Sequence, residues 1–195
     1  MVALALLAAG CTTERQTEPK RTATEEMLIS AAADRAVSQV DTTAFRGKKV
    51  FVDASDYKGL GPEYTVAAMH EALLKGGAML VGDRKSADAV VEMRNGAQSI
   101  DKREFLIGIP AFSLPIPLTA NALQIPEIAL YAKAQDIGVS KLAVAAYNPV
   151  SGAYESSTGP VYGFSHDIRY TVLIFVSWRH NDFRPNEDNK SDNGK

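Results

Sequence analysis

From Phe105 to Ile125 the chain reads Phe-Leu-Ile-Gly-Ile-Pro-Ala-Phe-Ser-Leu-Pro-Ile-Pro-Leu-Thr-Ala-Asn-Ala-Leu-Gln-Ile, with no charged side chain and prolines at 110, 115 and 117. A proline inside a helix removes a hydrogen bond and clashes with the preceding turn. In a central strand it removes a ladder donor, so neither a regular helix nor a central strand is expected here. An apolar segment excluded from regular structure can cover the core, dock on a partner, or enter a membrane interface. The sequence leaves all three open, although the net-neutral Asp101-Lys-Arg-Glu104 before it offers an anionic membrane surface little attraction. Phe112, Leu114 and Ile116 are the candidate partner-binding residues, because flanking prolines preset the backbone and lower the entropy lost on binding. Phe105 and Ile107 are expected to pack beneath them as the root of the loop.

Around this segment the periodicity gives an α+β outline. Ile29, Ala32, Ala33, Ala36, Val37 and Val40 repeat at helical spacing behind Thr24 as a cap, which predicts a helix over roughly 25–40. Val50-Phe-Val-Asp53 reads as a strand, and Pro62 opens a second helix on Val66, Met69, Leu73 and Leu74 that ends at Gly76-Gly77. Strands at 78–81 and 89–94 follow closely, which implies a right-handed βαβ crossover. A hairpin is predicted from 141–147 and 153–156 around Asn148-Pro-Val-Ser-Gly152. Residues 168–178 read as one long strand with Ile168, Tyr170, Val172, Ile174, Val176 and Trp178 on one face. Residues 127–137 suit either a strand or a helix opened by Pro126 and Glu127. Together these predict a two-layer domain, a mixed and mainly antiparallel sheet with two helices on one face.

The ends of the chain differ from its middle. Met1 to Gly10 is an apolar run too short to span a bilayer, followed by Cys11 and then a polar stretch, Thr12 to Ala23, with little to bury. Leu7-Ala8-Ala9-Gly10-Cys11 resembles the bacterial lipobox, although Ala8 stands where that motif more often has Leu. The resemblance implies cleavage before Cys11, acylation of its thiol and new amino terminus, and attachment to a membrane. Thr12 in place of Asp implies the outer membrane, with the domain facing the periplasm. The apolar run lacks the Lys or Arg that usually precedes one, as expected if translation starts upstream of Met1. The expected organisation is a signal-peptide remnant at 1–10, an acylated cysteine and flexible tether at 11–23, one domain at 24–181, and a disordered tail at 182–195. The 46% of hydrophobic residues suffices for such a core, and a single cysteine excludes internal disulfides. A net charge of -2 disfavours nucleic acid as a partner.

The succession Lys49-Val-Phe-Val-Asp53, a glycine loop, a helix ending in Gly76-Gly77, and the strand opening Ala87-Asp-Ala-Val-Val91 resembles envelope lipoprotein domains of the curli-secretion and lipopolysaccharide-assembly type. Ile107-Gly-Ile-Pro110, Pro126-Glu-Ile-Ala-Leu130 and Ser157-Thr-Gly-Pro-Val-Tyr-Gly163 are similar to segments of an uncharacterised bacterial lipoprotein family of unknown function. These resemblances imply an assembly role and bring no catalytic residues.

The residues themselves suggest no chemistry either. Ser165-His166-Asp167 has the residue types of a hydrolytic triad, yet adjacent strand residues point to opposite faces and do not converge. Gly59-Leu-Gly61 ahead of a helix resembles an anion cradle, but no Gly-Lys-Ser/Thr follows and Glu63 brings negative charge where a phosphate would sit. His70 and His180 have no ligand-spaced partners, so no metal and no cofactor are expected. The expected function is a non-enzymatic, membrane-anchored envelope module that binds a protein partner. The alternative is a carrier holding a lipid or small apolar ligand under the 105–125 loop.

Overall fold

The computed structural model describes residues 21–115 and 122–184. Helix α1 (Ala23–Val37) opens with a capping box: the Thr22 hydroxyl accepts from the Glu25 N–H, and the Glu25 carboxylate accepts from the Thr22 N–H. Thr22 takes the cap position in place of Thr24 because only Thr22 has a Glu three residues later. The buried stripe of α1 is Leu28, Ile29, Ala32, Ala33, Ala36 and Val37. Helix α2 (Pro62–Lys75) starts on Gly61 at φ 64° with Pro62 in its first turn, and it buries Thr65, Met69 and Leu73.

The strands are β1 (Lys49–Asp53), β2 (Met79–Leu80), β3 (Ala89–Ile109), β4 (Phe112–Pro115), β5 (Ala122–Ile125), β6 (Ile128–Tyr147), β7 (Tyr154–Val172) and β8 (Val176–Asn181). Six of them form one sheet in the order β2-β1-β3-β6-β7-β8, and β4 and β5 form a small second sheet. Strand β1 is parallel to β2 and β3, as a crossover through α2 requires. The remaining pairs are antiparallel. The main core lies between the helices and the sheet, where Ala36, Met69 and Leu73 meet Val50, Val91, Met93, Leu142 and Val144. The α+β two-layer reading therefore holds.

In two places the strands depart from the sequence expectation, and in one they decide between the strand and the helix that the sequence left open. The 105–125 segment is largely strand: β3 runs to Ile109, and β4 and β5 continue beyond it as a hairpin paired from Phe112–Ile125 to Pro115–Ala122. Pro110 falls in the gap between β3 and β4. Pro115 is tolerated because both strands of a two-stranded ribbon are edges, so its missing donor need not break a ladder. Residues 127–137 are strand, paired along β3.

The second departure is at 168–178, which is two strands joined by Leu173-Ile174-Phe175. The apolar alternation runs on through this reversal, which has none of the Gly, Asn, Asp or Pro that ordinarily mark a turn. Leu173 and Ile174 adopt positive φ angles of 51° and 73°, a conformation that side chains, and β-branched ones above all, resist.

Two glycines let α1 lie directly on the sheet. A Cβ on Gly163 would overlap the Ala32 carbonyl oxygen, and one on Gly138 would meet the Leu28 carbonyl oxygen at 2.5 Å. The Ser165 hydroxyl, buried alongside, donates to that same Leu28 carbonyl at 2.6 Å. Gly163→Ala should therefore destabilise the chain by about 2 kcal/mol or more, since the obstacle is helix backbone and cannot rotate away. Ile174→Gly should raise stability by about 0.5 to 1 kcal/mol, because relief of the positive φ outweighs the added entropy of the unfolded chain. Thermal melting of the two variants beside the parent checks both, with opposite signs expected.

Candidate functional site

Along a strand, alternate residues change face, and residues paired across strands share one. Helix α1 sets the dividing line on the sheet. Its first turn lies beside Lys102, which pairs with Glu25 at 2.9 Å, and beside Arg179, which donates to the Thr24 hydroxyl at 3.4 Å. Past this level β3, β6, β7 and β8 continue without a helix over them among the described residues. They form an arm that β4 and β5 lengthen.

The face of the arm turned away from the helices is apolar and aromatic. Phe105, Lys133, Tyr170 and Trp178 occupy one row of paired positions, and Ile107, Tyr131, Val172 and Val176 the next. Tyr170 stacks on Trp178 at 5.2 Å, Phe105 meets Tyr131 edge-on at 6.1 Å, and the Lys133 ammonium lies 5.8 Å from the Tyr170 ring. Of the expected binding residues, Phe112 and Leu114 stand in β4 at 43% and 46% exposure, so neither is core cover. Ile116 and Cys11 lie outside the described residues. Phe105 and Ile107 are not a packed root: they are more than half exposed on the same ribbon, because pairing with β6 carries them past the helical layer. The sequence alone did not single out Leu173, Ile174 and Phe175, the last 80% exposed, at the tip of the neighbouring hairpin. Their apolar identity read as strand, and no turn residue flagged the reversal.

The opposite face, at the level where α1 begins, is held by ion pairs. Asp167 is 1% exposed and receives two bonds from the Arg179 guanidinium, at 2.6 and 2.7 Å. Asp136 pairs with Arg169 at 3.2 Å. The Thr22 backbone N–H, and then Lys102, hold the Glu25 carboxyl below the usual carboxylate range. Ser165, His166 and Asp167 are split as strand geometry requires: Ser165 and Asp167 are buried on the helix side, while His166 reaches Asp182 at 3.1 Å. Burial by itself would raise the Asp182 carboxyl, but the His166 backbone N–H, Arg35 and the His166 ring outweigh it and hold it low. Asp182 is thus packed on the folded body, just past the boundary expected for the tail.

Elsewhere the candidates have structural partners. The loop carrying Gly59 and Gly61 is tied to the sheet by a buried chain in which Tyr57 donates to Gln98 at 3.0 Å and Gln98 to Thr65 at 2.8 Å. Burial pushes the Tyr57 phenol above its ordinary value. His70 lines an open 460 Å³ groove with Tyr57, Glu63 and Val66. A 410 Å³ groove at the base of the arm mixes Phe105, Leu106 and Pro110 with Glu104, Lys133 and Arg169. Among the described residues no cluster of three His, Cys, Asp or Glu side chains could hold a metal ion. None of their helices is long and apolar enough to cross a membrane.

Residues 3–171, from the apolar start through both helices to the end of β7, match the family of unknown function DUF6655. The chain belongs to that family. The DUF6655 match takes in Cys11, both helices and strands β1 to β6 with β7 up to residue 171, and stops short of the Leu173–Phe175 turn and β8. Among curated proteins, none matches the chain.

Two measurements test the ionic layer of this DUF6655 chain. Arg179→Met strands the Asp167 carboxylate in a buried place and should cost about 3 kcal/mol, the lower end for a broken buried pair because the guanidinium is itself a third exposed. Denaturant unfolding reads it. Asp182 has a depressed folded-state pKa, so its contribution is complete above the unfolded value of 3.8 and is lost as pH falls through the folded one. The difference in melting temperature between parent and Asp182→Asn should accordingly be largest near neutrality and close in strongly acid solution.

Proposed function

We propose that the chain is a lipid-anchored module of a bacterial cell envelope that works by binding rather than by catalysis, with the projecting arm as its working surface. One observation carries this reading: the strands continue past the helical layer as an arm, with Phe105 and Ile107 exposed on β3 and Phe112 and Leu114 exposed on the β4–β5 ribbon that lengthens it. Exposed apolar side chains gathered on one projecting element mark an interaction surface. The ionisable groups beneath them support the same reading, since Asp167, Asp136 and Glu25 are engaged by Arg179, Arg169 and Lys102. The groove at the base of the arm has Glu104, Lys133 and Arg169 among its lining, which suits an apolar cargo poorly and places the carrier reading second. The anchor in this proposal is Cys11, and the location is the outer membrane facing the periplasm.

The anchor is tested by Cys11→Ser in a gene with its natural start. The variant should move from the membrane fraction to the soluble one and lose the mass of its acyl chains, and unchanged fractionation would remove the lipid anchor from the proposal. The surface is tested by replacing Phe112 and Leu114 with Ser. Both side chains are largely exposed, so the melting temperature should stay within a few degrees. A photocrosslinker placed at either position should yield a defined adduct in intact cells, and a large loss of stability with no adduct would show the ribbon to be structural.

A further inference from the structure

We infer that the distal end of the sheet, built from the Leu173-Ile174-Phe175 turn and the adjoining β3–β6 ribbon, is a membrane-dipping tip. It enters the interfacial layer of the phospholipid bilayer that holds the anchor. This deepens the function proposed above and rests on it for the lipid at Cys11.

The first ground is the turn itself. A hairpin reversal normally goes to Asn, Asp or Gly, which accept positive φ and like water. Here the reversal is Leu-Ile-Phe, with two side chains held at positive φ and all three more than half exposed. The fold thus tolerates backbone strain at a reversal whose apolar side chains stand exposed, and strain of this kind collects at functional positions.

The second ground is the order of chemistry along the outer face. Beyond the aromatic row lie only apolar residues on these strands: Ile107, Tyr131, Val172 and Val176, then Ile109 and the turn. Tyr170 and Trp178 form the row below, with Lys133 beside them, and Arg103 follows with no carboxylate in either row. Aliphatic tip, aromatic belt and flanking cations repeat the layering of a membrane interface, where Tyr and Trp settle at headgroup level and cations extend toward phosphate.

The third ground is where the chain leaves the described structure. The amino terminus of α1 points toward the tip, beside Lys102 and Arg179. Cys11 stands ten residues before Arg21, a reach of at most about 34 Å when fully extended. A tether of that reach lets an acylated Cys11 and the tip meet the same membrane.

Depth follows from the same geometry. From Tyr170 to Ile174 the strand rises about 13 Å, so the β7–β8 turn alone reaches well short of the far side of a hydrocarbon core of about 30 Å. The free edges of β3 and β8 carry backbone groups that hydrocarbon cannot satisfy. The unsatisfied edges limit the tip to interfacial depth, with the β7–β8 turn dipping to the level of Trp178.

Trp178 is the only tryptophan in the chain, so its emission reports the tip and not the apolar start. The experiment uses the full chain carrying Cys11→Ser with vesicles of phosphatidylethanolamine and phosphatidylglycerol. The tip proposal expects a blue shift of the emission on adding vesicles and quenching by lipids brominated on their acyl chains. Both should be lost in Ile174→Asp/Phe175→Asp while its lipid-free melting curve stays that of the parent. Phe175→Ser alone repeats the test should the double change unfold the chain. No shift and no quenching overturn the proposal. A shift that grows with protein concentration in lipid-free buffer and ignores vesicles overturns it in favour of a second copy on the tip. Crosslinks from the tip to an envelope protein without vesicle binding overturn the membrane tip and leave the proposed docking function standing, whereas failure of the Cys11→Ser fractionation removes the anchor alone.

Discussion

The seating of α1 on Gly138 and Gly163 is the constraint from which the other features follow. Because neither position carries a Cβ, helix backbone approaches strand backbone and the Ser165 hydroxyl can reach the Leu28 carbonyl. That contact fixes the helix along β6 and β7, directs its amino terminus toward the far end of the sheet, and commits one sheet face to the core. Antiparallel sheets tolerate an uncovered second face, and here that face carries ring pairs such as Tyr162 with Phe164 at 6.5 Å and Tyr170 with Trp178.

Where the helix stops, the chemistry of the covered face changes. Strands that ran under Leu28 and Ala32 would meet water abruptly beyond Thr24, and it is at this level that Asp167, Arg179, Asp136, Arg169, Glu25 and Lys102 gather. Ion pairs at such a boundary are better at fixing geometry than at adding stability, since desolvation offsets much of the attraction. Their effect is to let four strands pass from a packed environment to an exposed one without losing register.

Much of this was legible in the sequence, and the failures share a cause. Apolar periodicity located α1, α2, β1 and the Asn148–Gly152 hairpin because each is half-buried, so its pattern records a core on one side and water on the other. The same logic misreads an arm. At 168–178 the alternation of apolar residues continues through a reversal that has no turn-forming residue, and at 105–125 the prolines argued against strands that turned out to lie on a ribbon where an edge proline is harmless. Gly138 and Gly163 read locally as breaks in strands. Their meaning lies in a helix more than a hundred residues earlier in the chain, which no local pattern reveals. Phe112 and Leu114 were recognisable as candidates from their uncharged setting, whereas Leu173 to Phe175 needed the pairing of β7 with β8 to become visible.

The continuity of β3, β6 and β7 has a consequence for how the molecule opens. Each strand is a single hydrogen-bonded element of about twenty residues, yet only its lower half is clamped by helix packing and its upper half has strands alone to hold it. Cooperative units follow packing rather than element boundaries, so the arm can separate its strands while the half beneath α1 stays closed, much as a zip opens from its free end. Amide protons should accordingly be retained for very different times within one strand, with the change falling near Lys102 and Asp167. A chain organised in this way can reshape its exposed end around whatever it meets without drawing on the stability of its core.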